Sequence, residues 1–163
     1  MKDNLNYICT GCNKEYPIKE LLYRCDSCKE PLEVIEVKEG KIANGNPLNQ
    51  SILERYNEFF PFDEIDPSLS LGEGFTPLID SENIASLIGV EKIFLKNESQ
   101  NPTWSFKDRG TLAGIQHAKN LGVKKIGTVS TGNMAPSVAA YGSKANFETF
   151  VFVSENIANE KLN

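Results

Sequence analysis

The sequence has little with which to engage a membrane or a nucleic acid. Its longest strongly apolar run, Phe150-Val-Phe-Val153, spans four residues, where a membrane-crossing helix needs about 20. The first residues, Met1-Lys-Asp-Asn-Leu-Asn-Tyr7, lack the apolar stretch of a secretory signal. Basic residues are not gathered: 17 Lys and Arg stand against 22 Asp and Glu, the net charge is −5, and the densest positive pair is Lys124-Lys125. Nucleic acids and anionic membrane surfaces both demand clustered Lys and Arg, so neither is an expected partner. Internal repeats and low-complexity tracts are missing as well, and there is one His and one Trp. The expected location is the cytoplasm, where disulfides are rare. What remains is 40% hydrophobic and 24% charged over 163 residues. That is enough for a packed core with a soluble surface, as one domain or a small domain plus part of another.

The four cysteines need an explanation in such a compartment. Cys9-Thr-Gly-Cys12 and Cys25-Asp-Ser-Cys28 are two C-x2-C pairs with twelve residues between them. Each pair can grip a metal ion in a tight knuckle, for which Gly11 is suited, and the intervening residues can fold back as a hairpin. Cys9, Cys12, Cys25 and Cys28 are therefore expected to hold a closed, structural zinc in a small zinc-ribbon-like module. With all four positions filled, catalysis at the metal is not expected. Four-thiolate iron is the alternative metal; two disulfides or idle thiols are the alternatives to a metal.

Composition divides the chain into three segments. Residues 1–38 carry the cysteines and close on the strand-like alternation Leu32-Glu-Val-Ile-Glu-Val37. Residues 39–75 open with the turn-rich Glu39-Gly-Lys-Ile-Ala-Asn-Gly-Asn-Pro47 and include a short helix expected near 52–59, broken by Pro61 and Pro67. In residues 76–163 a strand is expected at 92–96. A helix is predicted over 106–121, because Leu112, Ile115, Ala118 and Leu121 recur at helical spacing and Gly122 follows. A buried strand at 126–130 leads through Thr131-Gly-Asn133 into a helix over 134–144, capped by Asn133, and then a strand over 147–153. Such alternation belongs to the α/β class with a parallel sheet. Ligands of these sheets bind beyond the carboxyl ends of the strands, where helix N-termini present free N–H groups. Ser130-Thr-Gly-Asn133 falls at such a point.

Asn101-Pro-Thr-Trp-Ser-Phe-Lys-Asp-Arg109 puts a lysine beside aromatic residues at the start of a helix. The positive end of a helix disfavours a cation, and a neutral amine is the form that makes an imine. Taken alone, Lys107 is equally a solvated residue of a first turn, Asn133 a plain helix cap and Trp104 a packing residue. His117, mid-helix, reads as structural or exposed.

Ser105-Phe-Lys-Asp-Arg109 closely resembles the cofactor-lysine segment of the threonine synthases, within the larger group of fold type II pyridoxal-phosphate enzymes. Four further segments match in order: Gly74-Phe-Thr-Pro-Leu78 upstream, Leu95-Lys-Asn-Glu98 leading into the lysine loop, Asn101-Pro-Thr103, and Ser130-Thr-Gly-Asn133 with the Ala-rich helix after it. The cysteine segment also occurs in part of that family. The resemblance covers about residues 70–153.

It implies an α/β fold, a partial parallel sheet of a fold type II enzyme preceded by the zinc module. Pyridoxal 5′-phosphate would be held by Lys107, which would also shuttle protons, with Phe106 beside it and Asn133 hydrogen-bonded to the ring oxygen. Ser130 and Thr131 would hold the substrate carboxylate. The implied reaction converts O-phosphohomoserine and water to threonine and phosphate. Met134 departs from the pattern, since many relatives carry Thr there. A second half with a Gly-rich phosphate loop is not found in the sequence, so the chain is expected to be an N-terminal fragment, inactive alone. A separate C-terminal half or a homo-oligomer would be its partner. The competing readings are a paralogue on another phosphorylated amino acid, such as cysteate synthase, and a non-catalytic zinc-binding fragment.

Overall fold

The structure is a computed structural model that describes residues 5–34, 40–46, 49–155 and 157. The expected strand residues 35–37, the 38/39 boundary and the ends of the 39–47 turn lie outside them. The chain divides into two compact units, Met1–Ser68 with Gly114–Lys124 and Leu69–Ala113 with Lys125–Asn163. No helix among the described residues is long and apolar enough to cross a membrane.

In the first unit, β1 (Asn6–Cys9) pairs antiparallel with both β2 (Glu15–Pro17) and β3 (Leu32–Val34). The two C-x2-C segments have the same backbone plan. The Cys9 N–H donates to Lys14 O and its carbonyl accepts from Asn13; the Cys25 N–H donates to Glu30 O and its carbonyl accepts from Lys29. Asn13 and Lys29 both take the left-handed conformation, φ 59° and 66°, which turns the chain sharply after the second cysteine of each pair. Gly11 is required by space, since a Cβ there would meet the Glu30 side chain at 2.7 Å. The core of this region is small: Cys9, Tyr16 and Cys25, with Tyr7, Leu22 and Leu32 packed around them.

The helix expected near 52–59 is split. α1 (Ile52–Arg55) starts on a capping box, in which the Ser51 side chain accepts from Glu54 N–H while Glu54 reaches back to Ser51 N–H. A 3-10 turn, Asn57–Phe59, follows. His117 lies 2.6 Å from the Tyr7 hydroxyl through Nε2 and packs on Phe62. It is a structural residue, and burial pulls it below its usual range. Around it Gln116 accepts from the Asp66 N–H at 2.7 Å, and Lys119 pairs with Asp66.

In the second unit, β4 (Leu78–Asp80) pairs antiparallel with β5 (Phe94–Lys96), joined by α2 (Glu82–Ile88). The sequence pattern carries no expectation for β4 or α2, whose three and seven residues are too short for a clear period. α3 (Lys107–Asn120) closes as predicted on Gly122, at φ +72°. Val123 N–H bonds Ala118 O and Gly122 N–H bonds Lys119 O, the two reversed bonds that a left-handed glycine makes possible. β6 (Lys125–Val129) and β7 (Glu148–Phe152) form a parallel pair, crossed by α4 (Met134–Lys144). Gly142 lets α4 approach these strands, because a Cβ there would overlap Thr149 and Ile126. β6 and β7 are the parallel pair among the described strands, and β5 joins a different, antiparallel sheet.

Candidate functional site

Four of the five matched segments, spread through residues 74–109, converge in the second unit through polar contacts. Arg109 forks onto Glu98, Nε to Oε2 at 2.8 Å and Nη2 to Oε1 at 2.7 Å. Its Nη2 also donates to Gly74 O at 2.9 Å. The Arg109 guanidinium beside Glu98 holds that carboxyl down to about 2. Thr76 Oγ1 donates to Glu98 Oε1 at 3.1 Å, and the Lys96 amine donates to the Thr76 carbonyl. Asn101, buried, donates to Glu98 O at 2.8 Å and accepts the Gly74 N–H at 3.0 Å. Bidentate, charge-assisted pairing of this kind fixes geometry as well as adding stability. It anchors the residues on either side of the lysine loop.

Lys107 is the first residue of α3 and half-buried, its Nζ 4.6 Å from the centre of the Phe106 ring. Phe106 is exposed. Trp104 is not the packing residue expected from sequence: it is 81% exposed at φ +59°. Its N–H donates to Asn101 O at 2.8 Å, and this tight left-handed turn, costly for a bulky residue, throws the ring outward.

Asp108, next to Lys107, is fully buried. It accepts from Thr103 N–H at 2.7 Å and Thr103 Oγ1 at 2.5 Å, closing the lysine loop on itself. It also accepts from Ser137 Oγ at 2.7 Å, on α4. Thr111, one turn further along α3, lies 2.7 Å from the same hydroxyl and 3.6 Å from the Met134 sulfur. Met134 thus packs against the start of α3.

The 130–133 turn lies where the sequence pattern placed it, beyond the carboxyl end of β6. The Ser130 N–H donates to Phe152 O at 3.0 Å, and its hydroxyl accepts the Gly132 N–H at 3.1 Å. Ser130, Thr131, Gly132 and Asn133 line an open cavity of about 450 Å³ with Val151 of β7 and Val153 just after it. Asn133 does not cap α4. It sits in helical conformation, φ −63° and ψ −13°, and its side chain makes no capping hydrogen bond; capping requires an extended backbone that turns the side chain back onto the first turn. Its amide is left for something else. The structure therefore brings Ser130, Thr131 and Asn133 to one wall. Lys107 and Phe106 are not among the residues lining that cavity, and α3 is joined to α4 by the Asp108–Ser137 bond.

The four cysteine sulfurs all lie within 4.8 Å of one another. All are free, with Cys9 and Cys25 buried and Cys12 and Cys28 exposed. Cys9 and Cys28 sulfurs are 3.3 Å apart, Cys12 and Cys25 3.6 Å. A tetrahedral zinc with bonds of about 2.3 Å sets sulfurs about 3.8 Å apart, so the donor set fits a four-thiolate ion. Backbone N–H groups of Gly11 and Cys12 point at Cys9 Sγ, and those of Ser27 and Cys28 at Cys25 Sγ. The Cys12 N–H leads in pulling Cys9 down. The Tyr16 hydroxyl, 3.1 Å away, then the Cys28 N–H, draw the Cys25 thiol down to about 5.

Sequence reasoning gave no role to Asp108, Ser137, Glu73 or Tyr141. Ser137 and Tyr141 stand four apart on α4, on one helix face; a hydroxyl pair at that spacing in an Ala-rich helix was the available signal.

Residues 69–163 match the family described as pyridoxal-phosphate dependent enzyme. The chain is 37% identical over 152 residues to the threonine synthase of Methanocaldococcus jannaschii, covering 90% of this chain and 37% of that protein. It is 45% identical over 114 residues to the threonine synthase of Halalkalibacterium halodurans, 69% of this chain and 32% of the relative. The threonine synthase of Methanosarcina acetivorans is 34% identical over 151 residues, 89% of this chain and 36% of that protein. The chain thus spans about a third of the length of the curated relatives it matches.

Proposed function

Since the chain belongs to the pyridoxal-phosphate dependent enzymes, we propose that it is the lysine-bearing part of a threonine synthase-like lyase. Its overall reaction would convert O-phosphohomoserine and water to threonine and phosphate. The observation that carries this reading is the Asp108–Ser137 bond. It ties the helix that begins at Lys107 to the helix that begins after Asn133.

The residues present fit the cofactor. An amine stands at the head of α3, the 130–133 turn lines a cavity beyond the strand ends, and the Asn133 amide is not spent on capping. Pyridoxal phosphate, when bound, supplies an electron sink that makes the substrate's α and β C–H bonds acidic. Lys107 would hold the cofactor and carry protons between those carbons. Ser130 and Thr131 would bind the substrate carboxylate, Asn133 would donate to the ring oxygen, and Phe106 would flank the amine. A division at 1–38, 39–75 and 76–163, with 1–38 as a zinc-ribbon-like module held by Cys9, Cys12, Cys25 and Cys28, belongs to the same proposal.

The test is complementation with the C-terminal two thirds of the Methanocaldococcus jannaschii relative, assayed for phosphate release. Release from O-phosphohomoserine, dependent on pyridoxal phosphate, is expected. Release from O-phosphoserine in preference would instead favour the paralogue reading. No release from either, in a complex shown to have assembled, would leave a zinc-binding fragment.

A further inference from the structure

We infer that Asp108 is a positioning residue. Through its bond to Ser137 it sets the Lys107 amine against the 130–133 turn. The inference rests on the reading of Lys107 and that turn as two sides of one site.

Asp108 lies in the first turn of α3 and is fully buried. A buried carboxylate is costly unless each oxygen is bonded, and here each is. Oδ2 accepts from Thr103 N–H, and Oδ1 from the hydroxyls of Thr103 and Ser137. These donors are neutral, and the α3 N-terminus favours an anion at this position. The carboxylate faces two ways. Toward Thr103 it closes the five-residue loop that presents Lys107; toward Ser137 it reaches another helix.

Ser137 in turn controls the turn. Its N–H donates to the Asn133 carbonyl at 3.4 Å, so a hydroxyl fixed on Asp108 fixes the backbone one helical turn back, at Asn133. Thr111 touches both Ser137 and Met134 from the same side of α3. Sliding or rotating α4 against α3 breaks these contacts together. An amide at 108 could still accept the Thr103 N–H and donate to the two hydroxyls, but it would reverse those bonds and remove the charge that the helix N-terminus favours. A side chain able to hydrogen-bond on both sides is therefore required here, which packing alone does not ask for.

The experiment uses the chain complemented with the C-terminal two thirds of the Methanocaldococcus jannaschii relative, with pyridoxal phosphate, followed by borohydride reduction and peptide mapping. It reads the rate of labelling at Lys107 relative to Lys119, Lys124 and Lys125, which serve as internal controls. In the unsubstituted chain Lys107 should lead. Ser137→Ala keeps the Thr103 bonds of Asp108 and removes the bond to α4. It should lower the Lys107 advantage about tenfold, the scale on which misplacing a reacting group slows it, with the control lysines unchanged. Ser137→Thr, which retains the hydroxyl, should restore the advantage, and Asp108→Ala, which removes both bonds, should lose it. Tyr141→Phe removes the other polar tie of α4 and should lower thermal stability without altering selectivity.

If Ser137→Ala leaves the advantage intact, the inference fails while the lysine reading stands. If Ser137→Ala and Tyr141→Phe reduce it alike, in proportion to lost stability, Asp108 is merely structural and the inference fails. Absence of any Lys107 preference in the unsubstituted chain overturns both the inference and the reading beneath it.

Discussion

The hydroxyl of Tyr141 donates to the Glu73 carboxylate at 2.7 Å across 68 residues of chain, and neither side chain is reached by solvent. Glu73 also accepts from Ser70 Oγ at 3.0 Å and Leu71 N–H at 3.0 Å. The loop before Gly74 is thereby tied to the second turn of α4. Burial, then the carboxylate, pushes the Tyr141 hydroxyl far above its ordinary range, so it stays a donor at any working pH.

Tyr141→Phe keeps the buried ring and removes that donor. The expected loss of unfolding free energy is about 1–3 kcal/mol, the cost of leaving a buried acceptor one bond short. Urea denaturation followed by circular dichroism measures it. An unchanged midpoint would mean that Ser70 and Leu71 satisfy Glu73 between them.

The Glu98–Arg109 fork predicts an acid-sensitive component of stability. Unfolded, Glu98 titrates near 4.5; folded, Arg109 holds it down to about 2. A depressed carboxyl contributes fully above the unfolded value, and the contribution disappears as pH falls from about 4.5 through about 2. With side chains 33% and 28% exposed, solvent screening trims the pair, and about 2 kcal/mol is expected at neutral pH. Glu98→Gln should therefore be less stable than the unsubstituted chain at pH 7, and the gap should shrink from about pH 4.5 and close only below about pH 2. A gap independent of pH would show that the carboxylate charge is not what the pair contributes.

Much of this architecture was legible because its signals are local. The period of Leu112 and Ile115, the glycine at 122, and the strand–turn–helix order after Lys125 are set by neighbouring residues, and the structure matches them within about two residues. The turn at 130–133 followed from that order. Three things were not legible. Strand pairing between β4 and β5 depends on a partner sixteen residues away, and three-residue strands have too short a pattern to announce it. The residue type of Asn133 signals a cap, yet capping is decided by backbone conformation, which is helical at this position. The Asp108–Ser137 and Glu73–Tyr141 bonds join polar residues far apart in sequence, and no periodicity marks such pairs.

The cysteine cluster should carry about one zinc per chain, as a closed four-thiolate site does. Its four sulfurs all lie within 4.8 Å of one another, with Cys9 and Cys25 buried against Tyr16. Elemental analysis of protein prepared without added metal checks the count. Cys25→Ser should lose the metal, and a strong chelator should unfold this region first, seen as loss of the Tyr7 and Tyr16 aromatic dichroism. Two disulfides with no metal would overturn the assignment; iron at the same stoichiometry would keep the site and change the ion.

Lys107 is the amine expected to carry the cofactor once the chain is complemented with the C-terminal part of a relative. Its position supports this on three counts. It opens α3, half-buried, with its Nζ 4.6 Å from the centre of the Phe106 ring. The residues on either side of its loop are anchored, through Asn101 and Arg109 to Glu98 and Gly74. And its neighbour Asp108 is bonded to the helix that follows the 130–133 turn. Lys119 is at the far end of the same helix and paired with Asp66, while Lys125 pairs with Glu148 at 2.7 Å. Reduction with borohydride followed by peptide mapping should place the label on Lys107. Lys107→Ala should abolish the visible absorption of the lysine-bound cofactor while leaving the zinc content unchanged. Because the cysteine cluster is formed by residues 9 to 28, loss of both together would mean that the substitution unfolds the chain, and Lys107→Arg, which retains the length and charge but forms no imine, then separates the two. An absorption band that survives in Lys107→Arg removes Lys107 from the chemistry, whatever its surroundings.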